Sequence, residues 1–93
     1  MTLDELRNRI DAIDEEIIKK LEERFETVMQ IGEYKKEMGL PIVDYDREAA
    51  KYDKIEELST PIFSELNKAV FSEIIEVSKE FQVDIISSVA EEE

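Results

Sequence analysis

The chain has 93 residues, room for one domain and not for two. It has no Cys, no His and no Trp, which excludes a disulfide framework, thiolate or imidazole metal sites, a Ser–His or Cys–His nucleophile pair and a His general base. Its 12 Lys and Arg stand against 25 Asp and Glu, and the resulting charge of −13 repels phosphates, so neither nucleic acid nor an anionic membrane is expected as a partner.

Thr2-Leu3-Asp4-Glu5 reads as a capping box, with Thr2 as N-cap and Glu5 three residues on. Leu3, Leu6, Ile10, Ile13 and Ile17 then follow at three- and four-residue steps, the period of an amphipathic helix. The pattern continues through Leu21, Phe25, Val28, Ile31 and Met38, and Gly39 followed by Pro41 ends it. This predicts a first helix of about 36 residues, some 55 Å long at 1.5 Å per residue. Asp44 can cap a second helix, with Asp46 in its first turn, Ala49, Ala50, Ile55 and Leu58 on its apolar face and an end near Ser59. Thr60-Pro61 starts a third, with Thr60 as N-cap and Pro61 at the first helical position. Its stripe is Ile62, Phe63, Leu66, Val70, Ile74, Val77 and Phe81. The stretch from Val83 to Glu93 either extends that helix or ends it in a frayed acidic tail.

The expected fold is therefore all-α, a single domain over 1–93 with one long, one short and one medium helix, the last two about 15 and 22 residues long. Laid back to back, the two shorter helices could cover the first once along one stripe, yet the first helix is apolar at nearly every turn and a monomer of this shape would have a thin core. A long helix paired with its symmetry mate resolves this as an isologous dimer; a monomeric three-helix bundle is the alternative. No apolar run approaches the roughly 20 residues of a membrane span. Asp4 and Glu5 stand where a secretory signal would be basic, so a soluble cytoplasmic protein is expected.

Several polar residues lie on or beside the apolar stripes. Extending the seam of the first helix puts Lys20, Arg24 and Thr27 on it, unless the stripe drifts to Leu21, Phe25 and Val28 and leaves Arg24 at its edge, paired to a Glu. Arg24 and Lys35 face the same way, about 16 Å apart along the axis, and could lean toward one anion. Arg7 lies about 25 Å from Arg24 and cannot reach that anion in its own chain, although an antiparallel partner helix could bring a second Arg7 there. Alone, Arg7 reads as an exposed Arg among Glu residues. Asp44, Arg47 and Glu48 cluster where the second helix starts, and read alone as a cap and two surface residues. Ser78 and Gln82 share a face of the third helix.

Taken together, these residues resemble the all-helical (AroQ-type) chorismate mutases. The likeness runs from Leu3 to Gln82. It is carried by Leu6-Arg7…Ile10-Asp11…Ile13-Asp14, Glu23-Arg24, Ile31-Gly32-Glu33-Tyr34-Lys35, Leu40-Pro41-Ile42, Asp44-Tyr45-Asp46-Arg47-Glu48, Ile74-Ile75-Glu76-Val77-Ser78 and Gln82. The resemblance implies an intertwined homodimer that converts chorismate to prephenate without cofactor or metal. It implies that Arg7 enters the site from the partner chain and that Arg24 holds a carboxylate. Lys35 would contact a carboxylate and the ether oxygen that breaks, and Gln82 would donate to the same oxygen. Glu48 with Asp44 would hold the ring hydroxyl, while Arg47 and Ser78 complete the polar wall. Gln82 stands where some relatives carry a Glu that must be protonated, so activity is not expected to require acid pH. Two other readings are an isochorismate-pyruvate lyase on the same fold, which the Asp44/Glu48 pair disfavours, and a non-catalytic acidic helical dimerisation module.

Overall fold

The computed structural model describes residues 1–91, with side chains described through Ile86. It contains α1 (Leu3–Met38), α2 (Tyr45–Leu58), a 3₁₀ turn (Pro61–Phe63) and α3 (Ser64–Glu91), with no strand among the described residues.

Local chemistry sets most of the boundaries. The Thr2 hydroxyl accepts from the Glu5 N–H at 3.2 Å and the Glu5 carboxylate accepts from the Thr2 N–H at 3.1 Å, which satisfies two orphan donors of α1. At the other end Gly39 takes the left-handed conformation, φ 67°, and the Leu40 N–H bonds the Lys35 carbonyl at 2.8 Å. A side chain at Gly39 would be strained, so the glycine is what turns the chain. Asp44 caps α2 by accepting from the Arg47 N–H at 3.0 Å.

The third helix differs from its expected form at its start. Thr60 makes no side-chain cap; instead the Phe63 N–H bonds the Thr60 carbonyl at 2.8 Å, and Pro61–Phe63 form one tight turn before the α-helix begins at Ser64. Proline fixes φ in the helical range but donates nothing, which suits a short i→i+3 turn. The helix is also longer than expected, 28 residues, because the apolar spacing of Phe81, Ile85 and Ile86 carries it past Val83. Glu91 is helical; the expectation of fraying at Glu92 and Glu93 lies outside the described residues.

Helix α3 runs parallel to α1, with Ser78 beside Arg24 and Gln82 beside Val28, and α2 returns antiparallel along α3. Phe25 and Phe81 meet edge to face, with ring centroids 6.4 Å apart at 83°. Asn67 ties the end of α2 to α3 by donating to the Ser59 hydroxyl at 2.8 Å. The result is a slab of 58 × 29 × 14 Å with a radius of gyration of 16.8 Å, against about 12 Å for a compact chain of this length. Only Val28 and Ile55 are buried hydrophobics among the described residues. Leu3, Ile10 and Ile13 on α1 are 60%, 57% and 51% exposed. Between Ile13, Ile17 and Leu21 of α1 and Val70, Phe71 and Ile74 of α3 lies an open apolar groove of about 520 Å³. No helix among the described residues is long and apolar enough to cross a membrane.

Candidate active site

The three helices enclose a cleft of about 270 Å³ at mid-slab. Helix α1 contributes Arg24, Val28 and Ile31, α2 contributes Arg47, Glu48 and Lys51, and α3 contributes Ile75. These come from one face of each helix: 24, 28 and 31 on α1, and 47, 48 and 51 on α2, at three- and four-residue steps.

Arg24 is half-buried at the edge of the stripe and pairs with no carboxylate among the described residues. Its Nη1 donates to the Ser78 hydroxyl at 2.6 Å, and that hydroxyl donates in turn to the Ile74 carbonyl at 2.6 Å. Ser78 is buried, so the relay has a fixed geometry. Partial burial lowers the Arg24 pKa from its ordinary value, but arginine starts so high that the group stays cationic. The expected edge pairing of Arg24 with a Glu is therefore replaced by a neutral anchor, which leaves the guanidinium's charge uncompensated.

Gln82 is buried and its Nε2 donates to the Val28 carbonyl at 3.2 Å. Its stem lies against Gly32, where an added Cβ would stand 3.3 Å from the Gln82 Cγ. The amide has two N–H donors, and the Val28 bond uses one while fixing the plane of the other. Glu48 is held from outside the cleft, its Oε1 accepting from the Lys79 ammonium at 3.0 Å. That hydrogen bond, joined by a second to Glu76 at 3.4 Å, raises the Lys79 pKa against the opposing effect of desolvation.

Lys35 and Asp44 do not line this cleft. They share an adjoining hollow beneath the α1–α2 connection, where the Lys35 ammonium donates to the Ile42 carbonyl at 2.8 Å. Lys35 is one turn beyond Ile31 and Asp44 one turn before Glu48, so the two hollows are neighbours. Arg7 is exposed, on the uncovered half of α1. In this one chain Arg24, Arg47 and Glu48 line the cleft, Ser78 is bonded to Arg24 and Gln82 to the Val28 carbonyl behind it, while Lys35 and Asp44 lie in the adjoining hollow and Arg7 is exposed far along α1.

Sequence reasoning missed two residues of this region, Lys51 and Lys79. Lys51 was legible, being three residues beyond Glu48 on the same helix face. Lys79 was not: its partner lies on another helix, 31 positions away. The wall offers fixed hydrogen-bond donors and a surplus of positive charge, with no thiol or imidazole. It can hold and orient an anion.

Comparison with known proteins agrees with this chemistry. Residues 6–83 match the family described as chorismate mutase type II. The chain is 34% identical over 82 residues to a chorismate mutase of Methanocaldococcus jannaschii, covering 86% of this chain and 83% of that protein. It is 43% identical over 61 residues to a bifunctional chorismate mutase/prephenate dehydratase of Aquifex aeolicus, 66% of this chain and 17% of the longer protein. It is 44% identical over 48 residues to the T-protein of Haemophilus influenzae, 52% of this chain and 13% of that one. No solved structure matches significantly.

Proposed function

The chain belongs to the type II chorismate mutase family, and from that premise we propose that it converts chorismate to prephenate by holding the dianion in a reactive conformer within this cleft. The reaction is an intramolecular [3,3] rearrangement. It asks for no nucleophile and no general base, which fits a chain without His or Cys. The protein must fold a flexible substrate and stabilise the charge that grows on the breaking ether oxygen.

One observation carries the reading: a half-buried Arg24, anchored by Ser78 and free of any carboxylate partner among the described residues, lines a cleft with Arg47 and Glu48. Arg24 binds a substrate carboxylate, and Arg47 and Ser78 complete the polar wall. Glu48, steadied by Lys79, accepts the ring hydroxyl together with Asp44. The second N–H of Gln82 points its donor at the ether oxygen. Lys35 exchanges the Ile42 carbonyl for a substrate carboxylate and the same oxygen; a charge-assisted bond is the stronger of the two. Because an amide does not titrate, kcat should show no sharp rise below about pH 6.

The uncovered half of α1 and the apolar groove support the second part of the proposal, an intertwined homodimer in which the partner's α1 fills the groove and brings Arg7 to the site. Membership in an enzyme family speaks against a non-catalytic dimerisation module.

The test is chorismate consumption at neutral pH with prephenate identified as product. Lys35→Ala should lose about 10²–10³ in kcat with its helicity intact. Mixing Arg7→Ala chains with Lys35→Ala chains should restore one working site per heterodimer. A folded wild-type protein without turnover overturns the mutase reading and sends the search to isochorismate; no recovery on mixing overturns sharing between chains.

A further inference from the structure

The cleft holds one cation more than the roles above use. Lys51 stands three residues beyond Glu48 and four beyond Arg47, on the same face of α2, and lines the cleft beside Arg24. Its side chain is half-buried, yet it pairs with no carboxylate among the described residues. Lys68 and Lys79 are half-buried too, and each holds two carboxylates. Lys19, Lys35 and Lys36 also hold no carboxylate among the described residues, but of these lysines it is Lys51 that lines the cleft. The Lys51 ammonium rests over the ring of Phe71, 5.8 Å from the centroid.

Charge accounting points to what it is for. Arg24, Arg47 and Lys51 line the cleft with one carboxylate, Glu48, which is itself held by Lys79. The proposed substrate is a dianion, and a cation on this wall favours it.

We infer that Lys51 is a substrate-binding residue, whose ammonium leaves the Phe71 ring to donate to a carboxylate of the dianion in the cleft. The inference rests on the mutase reading for the identity of that dianion. A cation over an aromatic face is held weakly at a partly exposed site, and a charge-assisted hydrogen bond replaces it favourably. Both substrate carboxylates keep their charge throughout the rearrangement. A contact to either is therefore equally strong in the ground and transition states, and it lowers KM without raising kcat. This separates Lys51 from Lys35 and Gln82, whose bonds to the ether oxygen strengthen as the bond breaks.

Lys51→Met removes the charge and keeps an unbranched stem over Phe71. It should raise KM about tenfold and leave kcat within about threefold, while Lys51→Arg returns KM to within about threefold of the wild type. Calorimetric titration with prephenate should show affinity weakened by the same factor in Lys51→Met, and Lys51→Gln serves in its place where circular dichroism shows the Met variant misfolded. Unchanged KM and unchanged prephenate affinity overturn the inference. A fall in kcat at constant KM overturns it equally, since that places the ammonium at the reacting oxygen. A wild-type protein that binds prephenate without turning over chorismate fails the mutase reading alone, and the affinity of the Lys51 variant still decides the inference. Neither turnover nor binding by the wild type sinks both.

Discussion

The two halves of α1 carry the same pattern and meet different fates. From Leu3 to Ile17 the apolar row points at open space, and Leu3, Leu6, Ile10, Ile13 and Ile17 are all exposed. From Leu21 to Gly32 the row continues in step, but here α3 lies alongside and Val28 and Gly32 are buried. The chemistry follows the same divide. Arg24 acquires a buried hydroxyl for an anchor, whereas Arg7 remains an exposed cation. A hydrophobic stripe announces that something will cover it and says nothing about what. In the second half the cover is the same chain; for the first, where a groove opens at Ile13 and Ile17, the proposed cover is a second copy.

The sharpest way to break this contrast is a charge on the uncovered half. On a free surface Ile13→Asp changes stability by no more than about 0.5 kcal/mol. In an interface it buries an unpaired carboxylate and costs several kcal/mol, on the order of 3 or more. Sedimentation velocity should show the dimer lost in Ile13→Asp, together with activity; an unaltered sedimentation coefficient would return this face to solvent.

The covered half gives a smaller effect. Ser78→Ala removes the Arg24 anchor while offering α3 a better helix former. Hydrogen bonds to charged groups are worth about 1.5–3 kcal/mol, so kcat/KM should fall about 10- to 100-fold with little change in thermal midpoint. Kinetics indistinguishable from the wild type would show that Arg24 is placed by something else.

The smallest effect is expected at Gly32. An added Cβ, 3.3 Å from the Gln82 Cγ, must push that side chain by a few tenths of an ångström. Ala gains about 1 kcal/mol of helix propensity over Gly, which offsets the crowding. Gly32→Ala should therefore keep its stability within about 1 kcal/mol and lose about two- to tenfold in kcat through the displaced amide, with KM unchanged. An unaffected kcat would mean that Gln82 has slack and that the close approach does not set its position.

Much of the fold was legible because helix ends are local events. The Thr2–Glu5 box, the left-handed Gly39 and the Asp44 cap are each complete within a few residues, and they bound α1 and the start of α2 as read. The start of α3 was misread for a related reason: Thr-Pro is compatible with either an α or a 3₁₀ first turn, and the choice rests on one backbone hydrogen bond at Phe63. The site was legible in its residue types, through a resemblance to a family, and much less in its geometry. That Arg24 bonds Ser78 and Gln82 bonds Val28, each across 54 positions, follows from the parallel course of α1 and α3. The lysine that steadies Glu48 and the lysine resting on Phe71 depend on how α2 packs back against α3. Composition and period, read from the chain alone, determined an acidic all-helical protein with a chemistry limited to binding and polarising. Which cations are spent on structure and which are left for a ligand was decided only by tertiary structure, because a charge is neutralised by its neighbours in space and those neighbours lie far away in sequence.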